Sequence, residues 1–235
     1  MLDRNHHKTI LLQILKDIYT DSTLGPVLGF KGGTAAHLFY GLGRFSVDLD
    51  FDLLEREKDE IVFEKLGKTL VRYGTVKEQY RKRNTLLYVV SYEKEAQNIK
   101  VEINRRSFTS RYEMKSYLGI PMLVMVREDM FAHKLAAVLE RRKTANRDIY
   151  DIWYFLKHRW TVNKEIIEKR TGMDFISLLE KCITFVEALS NRTILSGMGE
   201  LLDEKQKTWV KTKLKGDLVF LLKIRLEQEA SERRG

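Results

Sequence analysis

The chain reads as an α+β protein, a small mixed sheet with helices followed by a helical C-terminal bundle. Three observations carry that expectation. Residues 44–51, RFSVDLDF, alternate strictly between polar and apolar, which is the period of a strand with one buried face. Ile10, Leu11, Ile14, Leu15 and Ile18 recur at the spacing of an amphipathic helix. From about Met125 onward the apolar spacing is helical almost throughout, and strand-like patterning nearly disappears.

Taken in order, 7–19 is the first helix and 20–26 a turn-rich linker, with 27–30 a short apolar approach to a glycine turn. That turn is Lys31-Gly32-Gly33-Thr34, and the apolar run 35–40 after it is a short helix. The strand 44–51 puts Ser46, Asp48 and Asp50 on one face and Phe45, Val47, Leu49 and Phe51 on the other. A second helix is expected over 61–73, ending at Gly74, then strands at 76–83, 85–92 and 98–104. Helices follow at 127–142, 148–158, 164–170, 175–189 and 205–229. Pro121 is the last of 2 prolines, so only glycines interrupt this half.

Composition narrows the class. With 43% hydrophobic and 32% charged residues in 235, the chain can bury a sizeable core in one or two domains. No apolar run approaches the roughly 20 residues a bilayer span needs, so a membrane role is not expected. The N-terminus lacks a small-residue cleavage pattern and reads as a helix of the mature protein. A single cysteine, Cys182, excludes an internal disulfide and fits a reducing, cytoplasmic setting. The net charge of +9 favours a polyanionic partner.

The chemistry concentrates at 30–52. A glycine turn entering a helix presents main-chain N–H groups and the positive end of the helix dipole, which suit a phosphate. It also serves as an ordinary turn, with Thr34 capping the helix or touching the phosphate. Two carboxylates on one strand face repel each other unless a cation lies between them. Asp48-x-Asp50 beside such a turn therefore fits Mg²⁺-dependent phosphoryl or nucleotidyl transfer, in which hard oxygen ligands hold the ion. A two-metal version needs a third carboxylate. Glu102 on the polar side of strand 98–104 is the candidate, or else an exposed glutamate paired with Lys100 or Arg105. Arg44 is a phosphate contact or a strand-end charge. The five histidines show no ligand spacing, and Trp153, Tyr154 and Phe155 read as core. Residues 205–215, KQKTWVKTKLK, form a basic stretch around Trp209 that suits either RNA backbone or a solvated helix face.

The stretch KGGTAAHLFYGLGRFSVDLDF resembles the first motif of the nucleotidyltransferase superfamily, and most closely its AbiEii-type toxin branch. Lys134 within KLAAVLERR, with Arg141 and Arg142 at its end, and Arg147-Asp148-Ile-Tyr-Asp151-Ile resemble that family's later helical motifs. The resemblance covers roughly 25–155. It implies a nucleotidyltransferase-type sheet in a domain at 1–124 and a helical domain at 125–235 that completes the active site. Asp48 and Asp50 would be catalytic metal ligands, with Lys31, Gly32, Gly33 and Thr34 at the nucleotide phosphates. Lys134 would reach a phosphate and Asp148 would be a further required acid. Arg44, Ser46, Arg147 and Asp151 complete the nucleotide-binding set. Ser46 lies where some relatives are phosphorylated by a kinase-like antitoxin. The implied activity is Mg²⁺-dependent transfer from a nucleoside triphosphate to RNA, a tRNA 3′ end, by a toxin with a cognate antitoxin. The alternatives are transfer to a small molecule or protein, and a non-catalytic nucleotide- or RNA-binding relic.

Overall fold

The computed structural model describes residues 2–94, 97–140 and 146–234, which fall into two compact units, Met1–Val126 and Arg127–Gly235. In the first, α1 (Arg4–Thr20) leads through a 3₁₀ turn to β1 (Leu28–Lys31), α2 (Gly32–Tyr40), β2 (Leu49–Leu53) and α3 (Asp59–Leu70). The strands β3 (Thr75–Lys82), β4 (Thr85–Ser91), β5 (Ile99–Asn104), β6 (Tyr112–Tyr117) and β7 (Ile120–Met125) follow. They form one 7-stranded mixed sheet in the order β3-β4-β5-β2-β1-β7-β6. β2 runs parallel to β5 and antiparallel to β1, and β1 runs parallel to β7.

Side-chain alternation divides the sheet into two faces. Leu49, Phe51, Phe30, Tyr88 and Val101 are fully buried and form the inner face. Phe30 and Phe51 meet there with ring centroids 5.3 Å apart, Tyr19 of α1 packs on Phe51, and Phe63 of α3 on Tyr88. The stripe read from the sequence for α1, with Leu11, Ile14, Leu15 and Ile18 buried, seals this core. The opposite face carries Asp50, Asp52, Glu102 and Asn104, placed side by side by the register Asp50↔Glu102 and Asp52↔Asn104.

The expected strand over 44–51 is shorter than its pattern. The ladder begins only at Leu49, Arg44 lies in a bend, and 45–48 run outside the ladder. Alternation arises from any extended backbone, and here both of its sides are buried. Phe45 and Val47 pack inward while Arg44 and Ser46 turn under the glycine turn. Three strands were not expected. β1 is too short to show a period, and the β6–β7 hairpin closes on Leu118-Gly119, both at positive φ, rather than on an Asn-Gly signal.

In the second unit, α4 (Arg127–Glu140), α5 (Asn146–Lys157), α6 (Lys164–Thr171) and α7 (Phe175–Ala188) precede α8 (Glu204–Trp209) and α9 (Lys215–Glu232). A π-helical stretch, Val210–Leu214, joins the last two into one long helix. Asn163 and Asp174 cap α6 and α7, and Asp203 with Gln206 forms a capping box on α8. Phe131, Leu135, Phe155, Leu178, Leu179, Leu218 and Leu222 are its core. Arg141 and Arg142 lie outside the described residues.

Candidate active site

β1 delivers the chain into the glycine turn, and the register sets Lys31 directly opposite Asp50. Gly32 has φ +78, a conformation glycine adopts without cost. A Cβ there would also collide with the Asp50 carboxylate, so the missing side chain is what lets that acid lie against the turn. At Gly33 a Cβ would stand 2.7 Å from the Arg44 guanidinium and 2.9 Å from the Ser46 hydroxyl. The turn, Arg44, Ser46 and Asp50 are thus packed together, and α2 starts from them with no side-chain cap. Its first N–H groups keep the dipole-favoured end open to an anion.

Several residues take up places that differ from expectation. Thr34 caps nothing. Its hydroxyl donates to the Asp48 carbonyl, tying the residue before β2 to the start of α2. Arg44 is 1% exposed and donates to the Phe45 carbonyl, so it braces the turn from beneath rather than standing at a strand end or meeting solvent. Ser46 is also buried. Asp48 and Asp50 are half-buried. Glu102 lies beside Asp50 by register, yet its carboxylate is taken by Lys100. Among the described residues, no three His, Cys, Asp or Glu side chains converge closely enough to hold a metal ion. A two-carboxylate set still suits Mg²⁺, which keeps waters and takes further oxygens from substrate phosphates.

Two groups were missed in the sequence. Asp52 extends the period of Asp48 and Asp50 by one more step, and that was its signal. Its carboxylate is 2.5 Å from Lys31 Nζ and accepts from Asn104 at 2.6 Å and from the Tyr112 hydroxyl at 2.5 Å. Burial alone would raise its pKa. The Lys31 charge and these three hydrogen bonds outweigh that and hold the carboxyl below its ordinary value. Tyr112 reaches Asp52 because Gly29 leaves room, a Cβ there overlapping the Tyr112 ring. The second is His7, fully buried under the segment that bears Asp48. A carbonyl cannot donate, so Nε2 carries the proton to Val47 O at 3.0 Å, and neutral Nδ1 accepts from the Tyr92 hydroxyl at 2.8 Å. Burial lowers its pKa, against the raising effects of Val47 and Asp48.

In the second unit, Lys134 of α4 lies between two acids of α5, 2.6 Å from Asp148 and 2.8 Å from Asp151. The acids are 1% and 0% exposed and the lysine side chain 14%. Asp148 and Asp151 therefore close on Lys134, a partner the sequence reading had not assigned them. Arg147 lies half-buried on α5. Trp209 packs on Trp153 with centroids 4.2 Å apart, so it belongs to the aromatic packing of the unit rather than to an exposed basic face. Cys182 is buried, and that burial pushes its thiol up to about 12.

The fold has relatives among solved structures. An H. pylori protein assigned as a nucleotidyltransferase superposes with TM-score 0.61 at 20% identity, over 97% of this chain and 98% of that one. JHP933 from Helicobacter pylori superposes with TM-score 0.60 at 20% identity, over 100% and 98% of the two chains. No curated protein matches the sequence. Among the described residues, no helix is long and apolar enough to cross a membrane. Residues 13–174 match the family model described as nucleotidyl transferase AbiEii toxin of type IV toxin–antitoxin systems. The chain belongs to that family and is a nucleotidyltransferase.

Proposed function

We propose that the protein transfers a nucleotide from a nucleoside triphosphate to the 3′ end of an RNA, with tRNA as the target, in a Mg²⁺-dependent reaction. The carrying observation is the packing of the Asp50 carboxylate against Gly32, at the open N-terminus of α2 and opposite Lys31. We read the main-chain N–H groups of this turn as donors to an anion and the neighbouring carboxylates as ligands for a metal ion. Mg²⁺ held by Asp48 and Asp50 would neutralise triphosphate charge. Glu102 would join only by exchanging Lys100.

The residues of the chain orient and balance charge. Main-chain N–H groups at Gly32, Gly33 and Thr34 receive phosphate oxygens, and Lys31, steadied by Asp52, offers a cation on the same face. Thr34 fixes the main chain of Asp48. The acceptor oxygen bonds to the α-phosphorus as its proton passes to solvent, the bond from that phosphorus to the oxygen bridging to the β-phosphate breaks, and pyrophosphate leaves. The net charge of +9 supports a polyanionic acceptor. Lys134 with Asp148 and Asp151 is proposed as a second cluster required for activity, and the antitoxin that the family implies is proposed as the protein's partner. Ser46 beside Gly33 is the proposed point at which added phosphate would block the turn.

Incubation with Mg²⁺, labelled nucleoside triphosphates and total tRNA is expected to extend the RNA. Asp48→Ala should lower the rate at least 100-fold. Label appearing in protein or small molecules instead would overturn the acceptor, and full activity of Asp48→Ala would overturn the site.

A further inference from the structure

We propose that the sheet face bearing Asp50 is a track for a single-stranded RNA acceptor, with Tyr80 and Lys82 at the sheet edge holding a nucleotide upstream of the reacting end. The proposal rests on the RNA-directed reading above and adds where the acceptor lies. The registers Asp50↔Glu102, Glu102↔Leu87 and Leu87↔Tyr80 place these four residues in one row across β2, β5, β4 and β3. Paired residues share a face, so the row lies on the side turned away from α3. On α3's side of β4, Leu86, Tyr88 and Val90 are fully buried, whereas Thr85, Leu87 and Val89 on the other side are half-exposed.

The row changes character along its length. It is acidic at Asp50 and Glu102, apolar at Leu87 and aromatic at Tyr80, whose side chain is 44% exposed on an edge strand. Lys82 lies in the neighbouring row, its ammonium 5.2 Å from the centre of the Tyr80 ring. That row runs through Thr85 to Asn104, where the exposed Arg106 holds its Nε 3.2 Å from the Asn104 amide oxygen. An aromatic face with cations beside it combines base stacking with phosphate neutralisation, the two devices of sequence-tolerant single-strand binding. Neighbouring strands are about 4.8 Å apart, so three steps from Asp50 to Tyr80 span about 14 Å. At roughly 3.4 Å per stacked nucleotide that is about four nucleotides. A short single strand of RNA therefore reaches from one end of the row to the other.

Fluorescence anisotropy with a labelled eight-nucleotide oligouridylate reads binding without turnover. Tyr80→Ala is expected to weaken it about tenfold, Tyr80→Phe to retain it, and Lys82→Glu to weaken it and flatten its salt dependence. In transfer assays, Tyr80→Ala should raise KM for the octamer and leave KM for the triphosphate and for a dinucleotide acceptor unchanged. Unchanged melting temperatures check that these exposed positions leave the fold intact. Octamer binding lost in Tyr80→Ala, with no transfer to RNA by any form, would sustain the track and overturn the RNA-transfer reading. Equal binding by wild type, Tyr80→Ala and Lys82→Glu, or no binding by wild type, would overturn the track.

Discussion

At the scale of single residues, the buried ionisable groups Lys134, Asp148, Asp151 and His7 have named partners, and this makes their removal legible. Lys134 separates two buried acids. Lys134→Ala removes the ammonium that both buried carboxylates share, and urea unfolding should show a loss of about 3 kcal/mol. Restoring balance with Asp148→Asn and Asp151→Asn should recover most of it. Transfer activity in that triple variant then separates chemistry from folding. If it is stable but inactive, the cluster serves the reaction, whereas wild-type rates would reduce it to a structural clasp. His7 makes a pH prediction of known sign. Its folded pKa lies below that of the unfolded chain, so the unfolded state binds the proton first as pH falls. Stability should decline from about pH 6.5 downward, through the interval between the two values. His7→Gln, which keeps a donor and an acceptor but does not titrate, should show a smaller decline between pH 7.5 and 5.5 in urea melts.

At the scale of elements, what was legible followed from periodicity, and what was missed lacked it. α1, α3, β4 and β5 lie close to where apolar spacing puts them, since each buries one face, and β3 lies where it was expected although it is almost wholly exposed. β1 has four residues, with three buried in succession, and no alternation to read. β6 shows no regular alternation of burial, and its hairpin turn carries Leu118 at φ +51, 78% exposed, where turn-forming residues would have announced the turn. The left-handed region costs an ordinary L-residue about 1 kcal/mol. Leu118→Gly therefore relieves strain and removes little buried surface, and it should raise unfolding stability by about 0.5–1 kcal/mol in denaturant titration. A loss of stability would mean that Leu118 makes a contact worth more than its strain.

At the scale of the whole molecule, the sequence pointed to the residues of the proposed donor end and not to those that support them. Gly32, Gly33, Asp48 and Asp50 were legible because a glycine turn and spaced acids are local patterns. The Lys31–Asp52 pair, the Tyr112 hydroxyl beneath Gly29 and the closure of Asp148 and Asp151 on Lys134 depend on strand order and helix packing, which no local pattern encodes. The family match has a similar limit. It runs from residue 13 to residue 174, immediately before α7, so the proposed binding and catalytic residues lie inside it while His7 and α7, α8 and α9 lie outside. Yet α4 packs on α7 and α5 on α9, and the buried faces of Leu135 and Phe155 belong to that layer. A chain ending at Asp174 would keep all the proposed chemistry and lose the apolar cover of the helices that carry Lys134 and Asp148. Such helices draw most of their stability from packing and not from intrinsic propensity. The truncated protein should therefore bind a hydrophobic dye, lose cooperative melting of its helical circular dichroism, and transfer nucleotides at least 100-fold more slowly. Wild-type transfer by that fragment would show that residues 1–174 suffice for the reaction and that the last three helices serve another purpose.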